Sequence, residues 1–145
     1  MTIDDMVLTV KVGAEKERNI TTNSNQSTDF LWKGENVLST PSLVSEIEET
    51  CRLLLKEQFI PDVDWNSVGT FVEIKHLALT PVGAELFLKA KVVSVNGRRV
   101  MFDVEASDRI EKVGEGRHER FIINIHKFRS TFNEKQKQLK INYNV

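Results

Sequence analysis

The chain has 145 residues, of which 40% are hydrophobic and 28% are charged, and its net charge is −1. These values are typical of a single folded domain and exclude a disordered chain, and the balanced charge gives no basic field that would attract nucleic acid. A single cysteine excludes an internal disulfide and a metal site built from several cysteines.

The sequence shows neither the pattern of a signal peptide nor that of a membrane-spanning segment. The chain begins M-T-I-D-D, without the basic and then apolar segments of a signal peptide. No apolar run approaches the ~20 residues that span a bilayer. By default we therefore expect a cytoplasmic protein with no membrane partner.

The first quarter of the chain predicts one strand and a long polar loop. Residues 6–12, M-V-L-T-V-K-V, are rich in Val and Leu and predict a strand. Residues 13–29 are polar and predict a loop, either a mobile surface segment or a flap near a site. The aromatic cluster Phe30-Leu31-Trp32 follows, and it either closes the end of a core or lines a ligand channel.

A long helix is predicted next. Ser39 or Thr40 suits the N-cap and Pro41 the first helical position. The helix runs for roughly five turns to about Phe59, because Pro61 disfavours helix at the residue before it. Its apolar face is formed by Leu43, Val44, Ile47, Cys51, Leu54 and Leu55.

Glu48 lies at the margin of that apolar face, where an unpaired carboxylate is costly. Two interpretations stand at this point: Glu48 forms a structural ion pair or reaches solvent, or it serves a functional site.

Residues 71–79 predict a strand with a histidine on its apolar face. Side chains alternate across a strand, so His76 shares a face with Val72, Ile74 and Ala78, and we expect this face to meet the core. Gly69 precedes the predicted start of the strand, where a bare backbone lets a ligand approach. Residues 80–83, T-P-V-G, predict a type I turn.

Three further segments complete the predicted sheet. Residues 86–95 and 98–107 predict a hairpin closed by Asn96-Gly97. A turn at 109–113 leads to a last strand over 114–126, and the tail from 127 is polar, lysine-rich and without a continuous apolar face. One face of the last strand carries Gly116, His118, Arg120, Ile122 and Asn124.

These elements predict an α+β protein in which an antiparallel β-sheet wraps around one long central α-helix. The whole chain, 1–145, is expected to form one domain. A single sheet with one helix leaves an open edge, and pairing that edge across a homodimer is one solution.

Four motifs in this order resemble the fluoroacetyl-CoA thioesterase family, which has the hotdog fold. They are S-T-P-S-L-V-S-E-I-E-E-T-C, V-G-T-x-V-x-x-x-H-x-A-x-T-P-V-G, V-N-G-R-R-V-x-F-x-V and G-x-G-x-H-E-R-x-I-I. The similarity covers about residues 38–128. It implies an acyl-CoA thioesterase that needs no cofactor, since CoA is part of the substrate, and that works as a homodimer or higher oligomer.

The resemblance also implies site residues. Thr40, Glu48 and His76 match the family's catalytic Thr, Glu and His. Gly69 matches a glycine that offers its N–H near the thioester, and Arg120 matches an Arg that pairs with the helix Glu. The set is compatible with three attacking groups, namely the Thr40 hydroxyl, the Glu48 carboxylate or a water that Glu48 activates, with His76 as base and then acid.

Two positions depart from the family pattern. The family's gating Phe falls on Gly34, and Phe30 or Trp32 is a possible substitute. Pro41 stands where the family has Gly. We therefore expect a thioesterase for small or medium acyl-CoA, without fluoroacetyl specificity.

A second function and several further residues are also compatible with the sequence. The alternative function is a non-catalytic hotdog protein that binds an acyl-CoA or another acyl ligand, and a hotdog hydratase fits the pattern less well. His118 is expected in a supporting or surface position, His126 in solvent and Cys51 in the core. The candidate cations for the CoA phosphates are Lys33, Lys127 and Arg129.

Overall fold

A computed structural model describes residues 9–141 and shows a five-stranded antiparallel sheet with one long helix packed across it. The elements are β1 (Glu15–Thr21), α1 (Thr40–Gln58), β2 (Trp65–His76), β3 (Glu85–Asn96), β4 (Arg99–Ser107), β5 (Lys112–Asn124) and α2 (Ile125–Gln138). The strand order is β1-β3-β4-β5-β2, so β1 and β2 form the two edges. The predicted α+β architecture is confirmed.

Helix α1 supplies one side of the core, as its sequence pattern predicted. Ser39 is the N-cap, and its hydroxyl oxygen accepts from the Ser42 N–H at 3.1 Å. Burying each large apolar side chain of α1 contributes about 2 kcal/mol. The buried apolar residues of α1 and the sheet are Leu43, Ile47, Cys51, Leu54, Leu55, Leu86, Leu88, Ala90, Val92, Val100, Phe102, Val104, Ala106, Val113 and Ile122.

The first strand lies in the segment that was predicted as a polar loop. Of the predicted strand over residues 6–12, residues 6–8 lie outside the described part, and 9–12 are not a strand. The sequence of β1 does not show the alternating apolar pattern of a half-buried strand, because the inward face of the strand is cationic. Arg18 Nη1 donates to Thr50 Oγ1 and to the Glu46 carbonyl, both at 3.1 Å, so β1 docks on α1 through polar contacts.

Strand β2 is longer than predicted and begins earlier, at Trp65 rather than 71. Gly69 therefore lies inside the strand, next to a bulge between Gly69 and Phe71. The expectation that the Val72 face meets the core is only partly correct. Ile74 packs against the core, but Val72 is 40% exposed, because β2 is an edge strand.

Two turns lie one residue further along the chain than predicted. The Ala84 N–H donates to the Pro81 carbonyl at 3.3 Å, and Gly83 between them has φ of +91°, which fits the third position of a type II turn rather than the fourth of a type I. In the β3–β4 hairpin Asn96 pairs with Arg99, so Gly97-Arg98 is the loop. Gly97 has φ of +60°, which suits a type II′ turn.

The chain after 124 departs from the predicted last strand. Strand β5 ends at Asn124, whose side-chain oxygen accepts from the Lys127 N–H at 3.0 Å and caps α2. The polar tail is thus mostly helical, with Phe128 and Phe132 half exposed. Within residues 9–141, neither α1 nor α2 combines the length and apolarity that a bilayer-crossing helix needs.

Candidate active site

Thr40 and His76 meet at the N-terminal end of α1. Thr40 is the first helical residue and His76 the last residue of β2. The Thr40 Oγ1 lies 2.8 Å from His76 Nδ1, a hydrogen-bonding distance. A hydroxyl beside an imidazole is the arrangement that general-base activation requires.

The His76 imidazole is kept neutral by its surroundings. Burial lowers the pKa of His76. The Ala78 backbone acts in the opposite direction and raises this pKa, but its effect is smaller than that of burial. Nε2 is buried and has no hydrogen-bond partner among the described residues. A neutral imidazole leaves Nδ1 free to accept a proton from the Thr40 hydroxyl.

An open apolar groove begins at this pair. Its volume is about 370 Å³. Phe30 and Leu31 lie along it, whereas the indole N–H of Trp32 donates to the Glu35 carbonyl at 2.9 Å. The other lining residues are Thr28, Val37, Leu38, Leu77, Ala78 and Leu79. Of the three aromatic-cluster residues, Phe30 and Leu31 are thus the two that line a channel.

Glu48 and Gly69 lie in a second group. A β-carbon on Gly69 would stand 3.2 Å from Glu48 Oε1, 3.1 Å from His118 Cε1 and 3.7 Å from Arg120 Nη1. A glycine leaves these three side chains room to meet at the strand, whereas a β-carbon would crowd Glu48 and His118. The carboxylate, the imidazole and the guanidinium therefore share one wall around the Gly69 backbone.

Arg120 is fixed by a buried network. Its Nε donates to Ser67 Oγ and its Nη2 to the Ser67 carbonyl, both at 2.7 Å, and its Nη1 donates to His118 Nε2 at 3.1 Å. Because arginine only donates, His118 Nε2 is the acceptor and Nδ1–H donates to the Phe71 carbonyl at 2.7 Å. No described hydrogen bond joins Arg120 to Glu48, so the pairing that the resemblance implied is not a direct contact in this chain.

Burial dominates the electrostatics of this group. It lowers the pKa of His118, against the opposing hydrogen bond to the Phe71 carbonyl and with help from the positive charge of Arg120. Burial also lowers the pKa of Arg120, while the negative charge of Glu48 opposes that change. The guanidinium remains charged at neutral pH.

The two groups stand apart within one chain. Thr40 and Glu48 are eight residues apart on α1, which is a rise of about 12 Å. His76 and Gly69 are likewise at opposite ends of one stretch of β2. One chain therefore carries a hydroxyl–imidazole pair at one place and a carboxylate–glycine–arginine group at another.

Comparison with known proteins decides the family. The model of the family described as fluoroacetyl-CoA-specific thioesterase matches residues 20–126. The chain belongs to the fluoroacetyl-CoA-specific thioesterase family. The fluoroacetyl-CoA thioesterase of Streptantibioticus cattleyicolor is 32% identical over 99 residues, covering 68% of this chain and 70% of that protein.

Solved structures agree with the family assignment. A structure of the fluoroacetyl-CoA thioesterase matches with a TM-score of 0.79 at 26% identity, over 87% of this chain and 97% of that one. A hot-dog-like protein from Thermanaerovibrio acidaminovorans matches in fold, with a TM-score of 0.78 at 19% identity over 93% and 97% of the two chains. The hotdog fold and the predicted thioester hydrolase are thereby confirmed.

The fluoroacetyl-CoA-specific thioesterase motifs led to five of the residues in the two groups, but not to Ser67. Ser67 is a small polar residue in a strand, and no spacing marks it as the acceptor for Arg120. His118 is fully buried and supports Arg120, which excludes the surface position that was one of its two predicted places. A histidine two residues before an inward-facing arginine was the available signal for this role.

The remaining candidates lie outside these groups. Cys51 is buried as predicted, and burial raises the pKa of its thiol. His126 is exposed, with Nε2 2.9 Å from Asp64 Oδ1. The suggested phosphate contacts, Lys33, Lys127 and Arg129, are all exposed. No cluster of three or more His, Cys, Asp or Glu suited to a metal occurs in residues 9–141.

Replacing Gly69 with alanine tests the close approach at the second group. The added methyl would lie 3.2 Å from the Glu48 carboxylate and must displace it by a few tenths of an ångström. We expect kcat/KM for thioester hydrolysis to fall about 10- to 100-fold, because small displacements at a reacting centre are costly. Denaturant unfolding should show a stability change below about 1 kcal/mol, since the neighbours that must give are side chains. An unchanged kcat/KM would separate Gly69 from the reaction.

Proposed function

We propose that this protein hydrolyses small or medium acyl-CoA thioesters, at a site that two copies of the chain complete. The observation that carries the hydrolysis is the 2.8 Å contact between Thr40 Oγ1 and His76 Nδ1 at the mouth of an apolar groove. The acyl group lies in the groove, and its carbonyl carbon stands beside the hydroxyl. CoA leaves as the free thiol.

His76 moves the proton in both halves of the reaction. Nδ1 takes a proton from the attacking hydroxyl, and the tetrahedral intermediate collapses with loss of the C–S bond. The same nitrogen returns the proton to the CoA sulfur. If Thr40 attacks, an acyl ester on its oxygen forms and a water then cleaves it. If a water held beside Thr40 attacks, the acid forms directly. Intact-mass spectrometry of the quenched reaction separates the two routes, since only the first adds an acyl group to the chain.

A second copy of the chain can bring together the two groups of side chains that are separate within one chain. β2 is an edge strand, and Phe71 and Val72 are 43% and 40% exposed on it. Pairing two β2 strands antiparallel, with the two-fold axis at Val72 or at Glu73, sets Gly69 next to the residue that lies opposite His76 of the partner subunit. Either register brings Glu48 and the Gly69 backbone of one copy to the Thr40–His76 pair of the other.

Each member of the second group then has a role. The Gly69 N–H and the N-terminus of α1 stabilise the negative charge that develops on the thioester oxygen. If Thr40 attacks, the Glu48 carboxylate takes a proton from the water that cleaves the acyl ester and returns it to the departing Thr40 oxygen; if a water attacks directly, Glu48 orients that water while His76 takes its proton. Arg120, held by Ser67, supplies a fixed positive charge near that carboxylate.

The direct test is an assay of the purified protein with acyl-CoAs of two to eight carbons, with a free-thiol reagent, beside His76→Ala. We expect thiol release by the wild type and a large loss in the variant. Equally slow release by both proteins across the panel would contradict the proposal. Tight acyl-CoA binding without turnover would instead favour the alternative, a non-catalytic acyl-CoA-binding protein.

The oligomeric state tests the second part independently. We expect a homodimer or a higher oligomer at micromolar concentration in sedimentation experiments. A well-behaved monomer of 16.6 kDa would contradict a site that two copies complete.

The pH dependence follows from the neutral state of His76. Burial lowers its pKa from the ordinary 6.5, so less than half of the imidazole is protonated at pH 6.5. We expect kcat/KM to fall on the acid side with a midpoint below pH 6.5, as protonation removes the base. An acid limb with its midpoint above 6.5 in a pH profile of kcat/KM would contradict this assignment.

A further inference from the structure

Asn36 is a buried asparagine that the proposed chemistry leaves without a role. It is 4% exposed. Its Oδ1 accepts from the Leu31 N–H at 2.9 Å and from the Thr28 hydroxyl at 3.3 Å. Its Nδ2 donates to the carbonyls of Trp32 at 3.0 Å and Gly34 at 2.9 Å. One carboxamide thus uses both its acceptor and its donor capacity on a single loop, residues 28–36.

The 28–36 loop is also held by the Thr28 N–H, which donates to the Val37 carbonyl at 2.9 Å, and by the Trp32 indole, which donates to the Glu35 carbonyl, but neither bond involves Phe30 or Leu31. Phe30 is 77% exposed and Leu31 is 50% exposed, so neither is anchored by the core. Both nevertheless line the groove that contains Thr40 and His76. Their position therefore depends on the hydrogen bonds of Asn36, one of which is made directly to the Leu31 amide.

We propose that Asn36 is a specificity-determining positioning residue, which holds the 28–36 loop so that Phe30 and Leu31 form one wall of the acyl groove and the groove selects acyl chains longer than two carbons. This inference rests on the proposed function, because it takes the groove as the acyl site. Asn36 acts through the loop and does not itself touch the reacting atoms.

The chemistry of the groove supports longer chains. Its opposite wall is apolar, with Leu77 and Leu79 half to two-thirds exposed in the free chain. A two-carbon acyl group leaves both walls in water, whereas a six-carbon chain covers them. Each methylene buried between apolar walls raises affinity about fourfold.

Binding of non-hydrolysable thioethers tests the inference without turnover. Calorimetry compares S-ethyl-CoA with S-hexyl-CoA, and we expect the wild type to bind the hexyl compound at least about tenfold more tightly. Phe30→Ala/Leu31→Ala should reduce this preference to within about threefold. Asn36→Ala should do the same and should speed amide hydrogen exchange across residues 28–35. Asn25→Ala is the matched control, since Asn25 is exposed and precedes the loop, and it should keep the wild-type preference.

Equal binding of the two thioethers by the wild type would overturn the inference, and so would a full hexyl preference in Asn36→Ala or in the double variant. If Asn36→Ala does not fold, Asn36→Ser carries the test, because its hydroxyl stays polar but is too short to reach the Leu31 N–H and the two carbonyls together. Loss of hydrolysis with selective thioether binding intact would defeat the proposed function alone.

Discussion

Replacing His76 with alanine is expected to lower kcat for acyl-CoA hydrolysis by about 10³-fold, because positioned general acid–base groups supply rate factors of 10²–10⁴. The imidazole is the only base in hydrogen-bonding distance of the Thr40 hydroxyl among the described residues. KM should change little, since the apolar groove that holds the acyl group remains. Steady-state kinetics with the best acyl-CoA of the panel measures both parameters.

Two comparisons keep this result specific. His126→Ala is the matched control, because His126 is an exposed histidine that contacts Asp64 away from the groove, and kcat should stay within about twofold of wild type. Thr40→Ala/His76→Ala should be no worse than about threefold below His76→Ala, since groups that act as a unit are not additive. Losses that multiply in the double variant would mean that the two residues act independently.

Replacing Glu48 with glutamine is expected to lower kcat by about 10²-fold or more while leaving the fold intact. The amide keeps the shape of the side chain beside Gly69, but it cannot accept a proton from the attacking water. The described hydrogen bonds of Arg120 go to Ser67 and His118, so the neutral side chain at position 48 breaks none of them. Kinetics and denaturant unfolding on the same preparation give the two readouts.

The neighbouring residue provides the control for this change. Glu49 carries the same group one position along α1 and accepts from Arg52 Nε at 3.0 Å. Glu49→Gln should lose a surface ion pair that is worth under about 1 kcal/mol and should keep kcat within about twofold. A comparable loss of activity in both variants would point to a general effect of charge on α1 rather than to a role of Glu48.

The parts of the fold that follow hydrophobic periodicity were predictable. The helix from Ser39 and the β3–β4 hairpin appear within a residue or two of their predicted places, because each buries an apolar face against the other layer. Strand β1 was missed for the complementary reason. Lys16 and Arg18 face α1 and pair with Glu57 and Glu46, so the strand is stabilised by ion pairs that leave no apolar pattern.

The site likewise has features that the sequence predicts and features that it does not. Thr40, Glu48 and His76 carry recognisable chemistry at recognisable positions, and the motifs singled them out. A sequence motif does not specify the distances between secondary-structure elements. The separation of Glu48 from His76 depends on how α1 crosses β2, and the contacts of Ser67 and Asn36 depend on loop and strand geometry that local sequence does not specify.

In the proposed dimer, Glu48 of one copy serves the Thr40–His76 pair of the other. Mixing His76→Ala subunits with Glu48→Gln subunits tests it, after mild denaturation and refolding together to exchange chains. A composite site predicts recovery to about one quarter of wild-type activity, since half the dimers are mixed and each carries one complete site. Activity that stays at the sum of the two separate variants, with mixed dimers shown by native mass spectrometry, would contradict it.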